Sequence, residues 1–414
     1  MARSVQKEVH AAPEIKNDSA NVERVLSTDE KADHINYDRI DDEIAKYVNA
    51  EAIEISPEEN KRLKRMIDRR VLPIMVFTYF LQALDKGTMS FASIMGIRDD
   101  IPVLKTDNSK FAWLTTCIYI AVLIVEFPTN WMIQRVPIAK YLGFNNSPMR
   151  AKCFTEEDKK LMVERVRSNQ TGLQNKKFRA YQVKEALFDP QSWCYCLIAI
   201  CTTLPTSGLG GFANIIIKGF DFSVLETQLL AMVLGVVIIL TLISATWLAN
   251  KTQQNLLVMG IYVIPSFIGT IVLMTVKLHN QATQVGLLIS YYIVLSFWAA
   301  QTLSMSLLSR NIAGQTKKTT VVAMNFIAWC VGNSIGPQVF LTRDAPRYFI
   351  AFATHMGCYV LLVIVIAFLR FNFMLRNKKK DNLAAQVLDA NDDHLVHAFD
   401  DLTDSENPNF RYMY

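Results

Sequence analysis

Eight apolar runs, each 22 to 27 residues long, constrain this chain more than any other feature. They are 71–97, 111–133, 192–217, 225–249, 255–276, 283–308, 319–341 and 348–369. Each is long enough to cross a hydrocarbon layer of about 30 Å as a helix. Helix is the expected form, because a spanning segment must satisfy its own backbone polar groups. Barrel strands would alternate in polarity over about ten residues, and these runs do not. Of the 414 residues, 51% are hydrophobic, and the mean hydropathy is +0.18, outside the habit of soluble chains.

The distribution of charge orients the runs. If all eight cross, one set of flanks (61–70, 134–191, 250–254, 309–318 and 370–380) carries 27 Lys and Arg, and the opposite loops carry 7. The positive-inside rule then places both termini in the cytoplasm. The net charge of +5 is a topology signal, and no nucleic-acid partner is expected. The partner the composition does demand is a lipid bilayer, and Lys378, Lys379 and Lys380 could touch its anionic lipids or simply stop transfer. The first thirty residues are polar with mixed charge and no apolar core, so no cleavable signal is expected.

Six of the seven cysteines lie within runs and Cys153 in a polar loop, which makes no disulfide framework. Cys194 and Cys196 lack a matching second pair, so helix packing is expected there rather than a metal, and no cofactor is called for. The sequons at Asn17, Asn169 and Asn250 fall on the cytoplasmic side and are expected to stay unglycosylated.

The runs are unevenly arranged. A polar tail (1–60) precedes a two-span part (61–143), and a basic loop (144–191) leads to six spans (192–373) and a polar tail (374–414). The loop contains a plausible helix at 155–167 with Thr155 as N-cap. The C-terminal tail, acidic from Asp381, is expected to be mostly disordered. Many carriers consist of two six-span halves joined by such a loop. Here the first half looks short by four.

In the first run Asp85 and Lys86 sit side by side near the middle. A charge at that depth costs about 2.5–3.5 kcal/mol or more, and intramembrane charges usually bind or move something polar. The alternative is a structural ion pair within the bundle. Tyr79, Gln82, Lys86 and Ser90 recur at three- and four-residue steps and share a helix face, while Asp85 points about 100° away. Glu126 in the second run is the other candidate buried carboxylate, for proton transfer or for a salt bridge.

Several segments together resemble a known family. They are 79–86 (Tyr-Phe-Leu-Gln-Ala-Leu-Asp-Lys), 126–130 (Glu-Phe-Pro-Thr-Asn), 204–212 (Leu-Pro-Thr-Ser-Gly-Leu-Gly-Gly-Phe), 314–318 (Gly-Gln-Thr-Lys-Lys), 332–338 (Gly-Asn-Ser-Ile-Gly-Pro-Gln), and the ending 400–412. From about residue 60 the chain resembles the fungal allantoate permease family, the anion:cation symporter branch of the major facilitator superfamily. The fold this implies is an all-α membrane protein, a major-facilitator-type helical bundle. It would be incomplete, with about 8 transmembrane helices (2 + 6) instead of 12. In the family, a segment like Lys140-Tyr-Leu-Gly143 leads into a third span, and one like Ser147-Pro-Met-Arg150 follows the sixth. Here three residues, 144–146, separate them. The fourth span of the family looks like a contributor to the central site, and it is missing.

The resemblance implies a proton-coupled symporter of small organic anions in a plasma membrane, with a carboxylate such as allantoate or ureidosuccinate and H⁺ as partners. No enzyme chemistry is implied, and no nucleotide-binding loop is present. Lys86 would hold the substrate carboxylate, with Tyr79 and Gln82 beside it, and Asp85 and Glu126 would couple protons. Thr206 and Ser207 lie in a Pro- and Gly-rich stretch, read either as backbone opened to a cavity or as close helix packing. Tyr291 and Gln301, with Tyr292 and Trp298, could touch substrate or pack. Asn325, Trp329 and Asn333 form a polar face, for ligand or for interhelical hydrogen bonds. Arg310, Lys317 and Lys318 are expected at the cytoplasmic rim as topology signals, and His355 as a structural residue. A second reading is a transport-incompetent homologue, because two spans cannot form a six-helix half.

Overall fold

The structure, a computed structural model, describes residues 56–92, 95, 101, 108–135, 155, 161, 178–345, 347–387 and 401–414. Among the described residues each of the eight apolar runs lies largely on a long helix, the first as far as Ala92 and the seventh as far as Ile335. The helices are α1 (Pro57–Ala92), α2 (Asn108–Arg135), α4 (Pro190–Lys218), α5 (Val224–Thr252), α6 (Asn255–Thr275), a pair α7 (Gln281–Val294) and α8 (Trp298–Asn311) joined by a 3-10 turn (Leu295–Phe297), α9 (Gln315–Ile335) and α10 (Phe349–Val387). A short helix, α3 (Ala180–Phe188), precedes α4. Among the described residues five segments are long and apolar enough to cross a membrane: α4, α5, α6, the α7–α8 pair and α10. Of the helix expected at 155–167 only residues 155 and 161 are described, and of the polar tail expected over 1–60 only 56–60, where α1 already begins at Pro57.

Helix ends follow local chemistry. Ser223 caps α5 with Glu226 in a reciprocal box, and Asn280 caps α7 with Thr283 in the same way. Asp189 caps α4, accepting from the Gln191 amide at 3.1 Å, with Pro190 at the first helical position. Connections of a few residues then force neighbouring helices to run antiparallel.

α4 is the central helix, packed against α9, α10, α8, α5 and α1. Its crossing with α9 depends on two glycines. A Cβ at Gly332 would collide with the Thr203 hydroxyl and the Ile200 backbone, and one at Gly336 with the Leu204 carbonyl and, at 2.9 Å, the Gly208 amide. Backbones approach this closely only where side chains are absent. α5 is the opposite case. Its outer stripe of Leu225, Leu229, Met232, Val236, Ile239, Leu240, Ile243 and Trp247 is exposed. An apolar face this large fits lipid, not water.

Pro205 and the glycines at 208, 210 and 211 do not break α4, which runs unbroken from Pro190 to Lys218. Packing on both sides holds it straight enough to continue, and the close-packing reading applies at Gly208. The C-terminal end departs further from expectation. α10 continues to Val387, and residues 401–414 form a folded strap instead of a disordered tail.

Candidate functional site

Two hollows flank α4. The larger, about 190 Å³, lies between α4, α5 and α7–α8. That is the space of about six liquid waters. Thr206, Gly210, Ala213 and Asn214 line it from α4, Ala231, Leu234 and Ile238 from α5, and Tyr291, Leu295 and Trp298 from the α7–α8 pair. Ala213 lies three residues and Asn214 four after Gly210, which lies four after Thr206, so one stripe of α4 faces the hollow. The 3-10 turn at 295–297 displaces the helical register and sets Leu295 and Trp298 against the same space.

Its polar groups differ in how they are satisfied. The Thr206 hydroxyl donates to the Thr202 carbonyl at 2.7 Å. Tyr291 is buried and donates to the Leu209 carbonyl at 3.1 Å, bridging α7 to α4. Asn214 Oδ1 and Trp298 Nε1 have no partner among the described residues, though Asn214 is only 1% exposed. One is an acceptor and the other a donor, and both atoms are sealed from water. No side chain of the described lining is charged.

The smaller hollow, about 10 Å³, lies between α4, α8 and α9. Gln301, Ser304, Met305, Asn325, Trp329 and Thr202 line it. Asn325 Nδ2 meets the Met305 sulfur at 3.4 Å. α2 borders this region, where Tyr119 meets the Trp329 ring edge-on at 5.4 Å between centroids. Thr116, Tyr119 and Glu126 lie along one stripe of α2, and Thr116 donates to the Ser334 carbonyl of α9 at 2.8 Å. Glu126 is half-buried on that stripe.

The structure thus brings Thr206 with Tyr291, and Gln301 with Asn325, into two separate hollows. Ser207 and Asn333 belong to the α4–α9 contact instead. Ser207 donates to the Asn333 carbonyl at 2.8 Å, and Asn333 Nδ2 donates within α9 to Trp329 at 2.8 Å. Tyr79 is exposed on α1. The backbone of Gln82, Asp85 and Lys86 is helical within α1, and their side chains lie outside the described residues. Asn214 was missed from the sequence, although its helical spacing from Thr206 and Gly210 was a usable signal. His355 is buried among rings, 5.8 Å from Phe340 and 6.0 Å from Phe352.

The densest charge lies at the other end of α4. Lys317, expected at the rim, is buried and bound by three carboxylates: Glu185 at 2.9 Å, Asp189 at 2.9 Å and Asp404 at 2.7 Å. Arg376 from α10 adds a 2.7 Å bond to Asp189. Burial pushes the Asp189 carboxyl up, but Arg376 and Lys317 hold it below its ordinary value. For Asp404 burial prevails, and its carboxyl stays above the ordinary value despite Lys317. Burial alone would lower Lys317, yet Asp404, Asp189 and Glu185 raise it above the usual lysine range.

Asp404 reaches this cluster on the strap. The Tyr412 ring stacks on Phe373 at 5.1 Å, its hydroxyl donates to Asp404 at 2.7 Å and its backbone N–H donates to Asn377 Oδ1 at 2.8 Å. Asp401 accepts from the Gln315 amide at 2.6 Å. Gly314 makes the loop before α9 compatible with this. Its φ is 84°, and a Cβ there would lie 3.1 Å from both Gln182 and Thr403.

Residues 154–337 match the model of the Major Facilitator Superfamily. The chain is 27% identical to the uncharacterized transporter C417.10 of Schizosaccharomyces pombe, over 87% of this chain and 90% of that protein. It is 26% identical to the MFS-type transporter cnsL of Penicillium expansum, over 86% and 89%. It is 25% identical to the allantoate permease of Saccharomyces cerevisiae, over 96% and 95%. No solved structure matches. The chain is a multi-pass membrane protein in which residues 154–337 are similar to the Major Facilitator Superfamily, and these three relatives are fungal transporters.

Proposed function

We propose that this chain is a secondary transporter that carries a small organic anion, a carboxylate of the allantoate or ureidosuccinate type, together with H⁺ across a fungal plasma membrane. The observation that carries the proposal is the 190 Å³ hollow beside α4, lined by the polar residues Thr206, Asn214, Tyr291 and Trp298. The permease likeness supports the substrate class. Since the described lining is uncharged, the cation facing a carboxylate must come from elsewhere. Lys86 on α1, a helix that packs on α4, is the residue assigned to it. Asp85 and Glu126 are assigned to the proton, with Tyr79, Gln82, Gln301 and Asn325 along the route. Ser207 and Asn333 set the α4–α9 contact. In this reading eight helices cross and both termini are cytoplasmic.

The test is uptake of radiolabelled allantoate and ureidosuccinate by cells expressing the chain, with surface amount measured in parallel. Asn214→Leu is expected to cut uptake about tenfold, and Lys86→Met to background, with expression unchanged. Uptake that survives Lys86→Met undiminished rejects the anion site.

One observation favours a second reading, a transport-incompetent short form. The alignment with the allantoate permease extends over 526 positions, while this chain has 414 residues. The excess exceeds a hundred positions, the size of four spans with their loops at about 20 residues per span. In that reading no substrate accumulates with any variant.

A further inference from the structure

We propose that Ser405 is a phosphorylation site whose phosphate releases the strap 401–414 from the cytoplasmic end of the bundle. The proposal rests on the cytoplasmic placement of that end and not on the identity of any cargo.

Four anchors hold the strap: Asp401 on the Gln315 amide, Asp404 on Lys317, Tyr412 on Phe373, and Met413 on Asn311. Asp401, Thr403, Asp404, Asn407, Phe410 and Tyr412 are all buried. Ser405 is exposed in the middle of this buried run, and its hydroxyl donates to Glu185 Oε1. The other strap hydroxyl of its kind, Thr403, is fully buried. A protein kinase therefore finds one serine or threonine oxygen open to it, flanked by Asp400, Asp401, Asp404 and Glu406. Such flanks fit the basic groove of an acid-directed kinase. In the transfer, the γ-phosphorus of ATP loses its bond to the bridging oxygen and gains one to Ser405 Oγ. ADP leaves, and the hydroxyl proton passes to the kinase's base.

The surroundings decide what the phosphate does. Carboxylates of Glu185, Asp189, Asp404 and Glu406 meet the strap here, against the cations Lys317 and Arg376, with Lys380 on the Asp404 and Asn407 carbonyls and Arg179 on Asp401. Lys317 is already shared by three carboxylates, each within 2.9 Å. A phosphate brings about −1.5 to −2 charge at neutral pH. Placed on the atom that now donates to Glu185, it turns a hydrogen bond into a like-charge contact. Its relief is to move outward, and Asp404 and Tyr412 move with it.

The experiment uses the full chain in phospholipid nanodiscs, incubated with a casein-type acid-directed kinase and ATP. Peptide mass spectrometry locates the phosphate, and hydrogen exchange reads residues 401–414. The expected result is modification at Ser405, none in this segment of Ser405→Ala, and exchange about tenfold faster through the strap once it is modified. In Glu185→Gln the acceleration, measured against that variant's own unmodified state, should shrink, since one facing carboxylate has lost its charge. Absence of phosphate at Ser405, or a modified strap that stays equally or better protected, overturns the proposal.

Discussion

Lys317 shows how one side chain can hold several elements at once. It connects α9 to Glu185 of α3, to the Asp189 cap of α4 and to Asp404 of the strap. Removing one member of a buried ion cluster leaves its partners uncompensated and costs about 3–5 kcal/mol. Lys317→Met is therefore expected to lower the thermal midpoint of the detergent-solubilised chain by several degrees, and to expose the strap to protease. An unchanged midpoint would show that the cluster contributes nothing net. Lys380 offers a pH test. Its ammonium donates to the carbonyls of Asp404 and Asn407 and faces the Phe410 and Tyr412 rings at 5.5 Å. Burial pushes it down to about 8, from an ordinary 10.5, with Asp404 opposing and Arg411, Arg376 and Lys317 adding to the shift. Docking thus disfavours its charged form. Below pH 8 the amine is charged in docked and released states alike, and the penalty is complete. Between about 8 and 10.5 only the released form keeps the proton, so docking tightens as pH rises. Subtilisin cleavage within 401–414 should slow over that window relative to Lys380→Met. A constant ratio between the two chains would contradict the assignment.

Among the elements, the α4–α9 crossing has the least room for change. Gly336 packs where any side chain would meet the Leu204 carbonyl and the Gly208 amide. Overpacking of this kind costs about 1–3 kcal/mol, since one helix must shift. Gly336→Val should destabilise the bundle by that amount in a thermal or denaturant series, whereas the same change at Gly235, which meets nothing within 4 Å, should be neutral. Equal effects at both sites would remove the crossing from the account. The existence of these helices was legible from the apolar runs alone, and the caps at Ser223 and Asn280 stand in plain sequence patterns. The 3-10 turn at 295–297 was not legible, because nothing in Leu-Ser-Phe interrupts an apolar run. Packing of α7–α8 against α6 sets it. Nor was the continuity of α4 through Pro205, where neighbouring helices outweigh one lost hydrogen bond.

At the scale of the whole molecule, residues 190–387 form six long segments with α4 packed against four of the others, and α1 and α2 lie against this bundle. If a four-span segment is absent between 144 and 147, inserting the corresponding segment of the allantoate permease should raise uptake of labelled allantoate well above that of the chain as it stands. Equal uptake by both forms would show that eight helices suffice. The amino-acid sequence by itself determined the membrane character, the helical class and the position of the long helices among the described residues, because lipid imposes a length and a polarity that each segment must meet alone. It also carried the likeness to fungal permeases. Only the tertiary structure decided which polar residues share a hollow, that Lys317 is a buried hub instead of a rim charge, and that the tail ending at Tyr414 is a strap. Those outcomes depend on contacts between residues far apart in the chain, Lys317 with Asp404 and Asn377 with Tyr412, and no local pattern specifies such a pairing before the helices have packed.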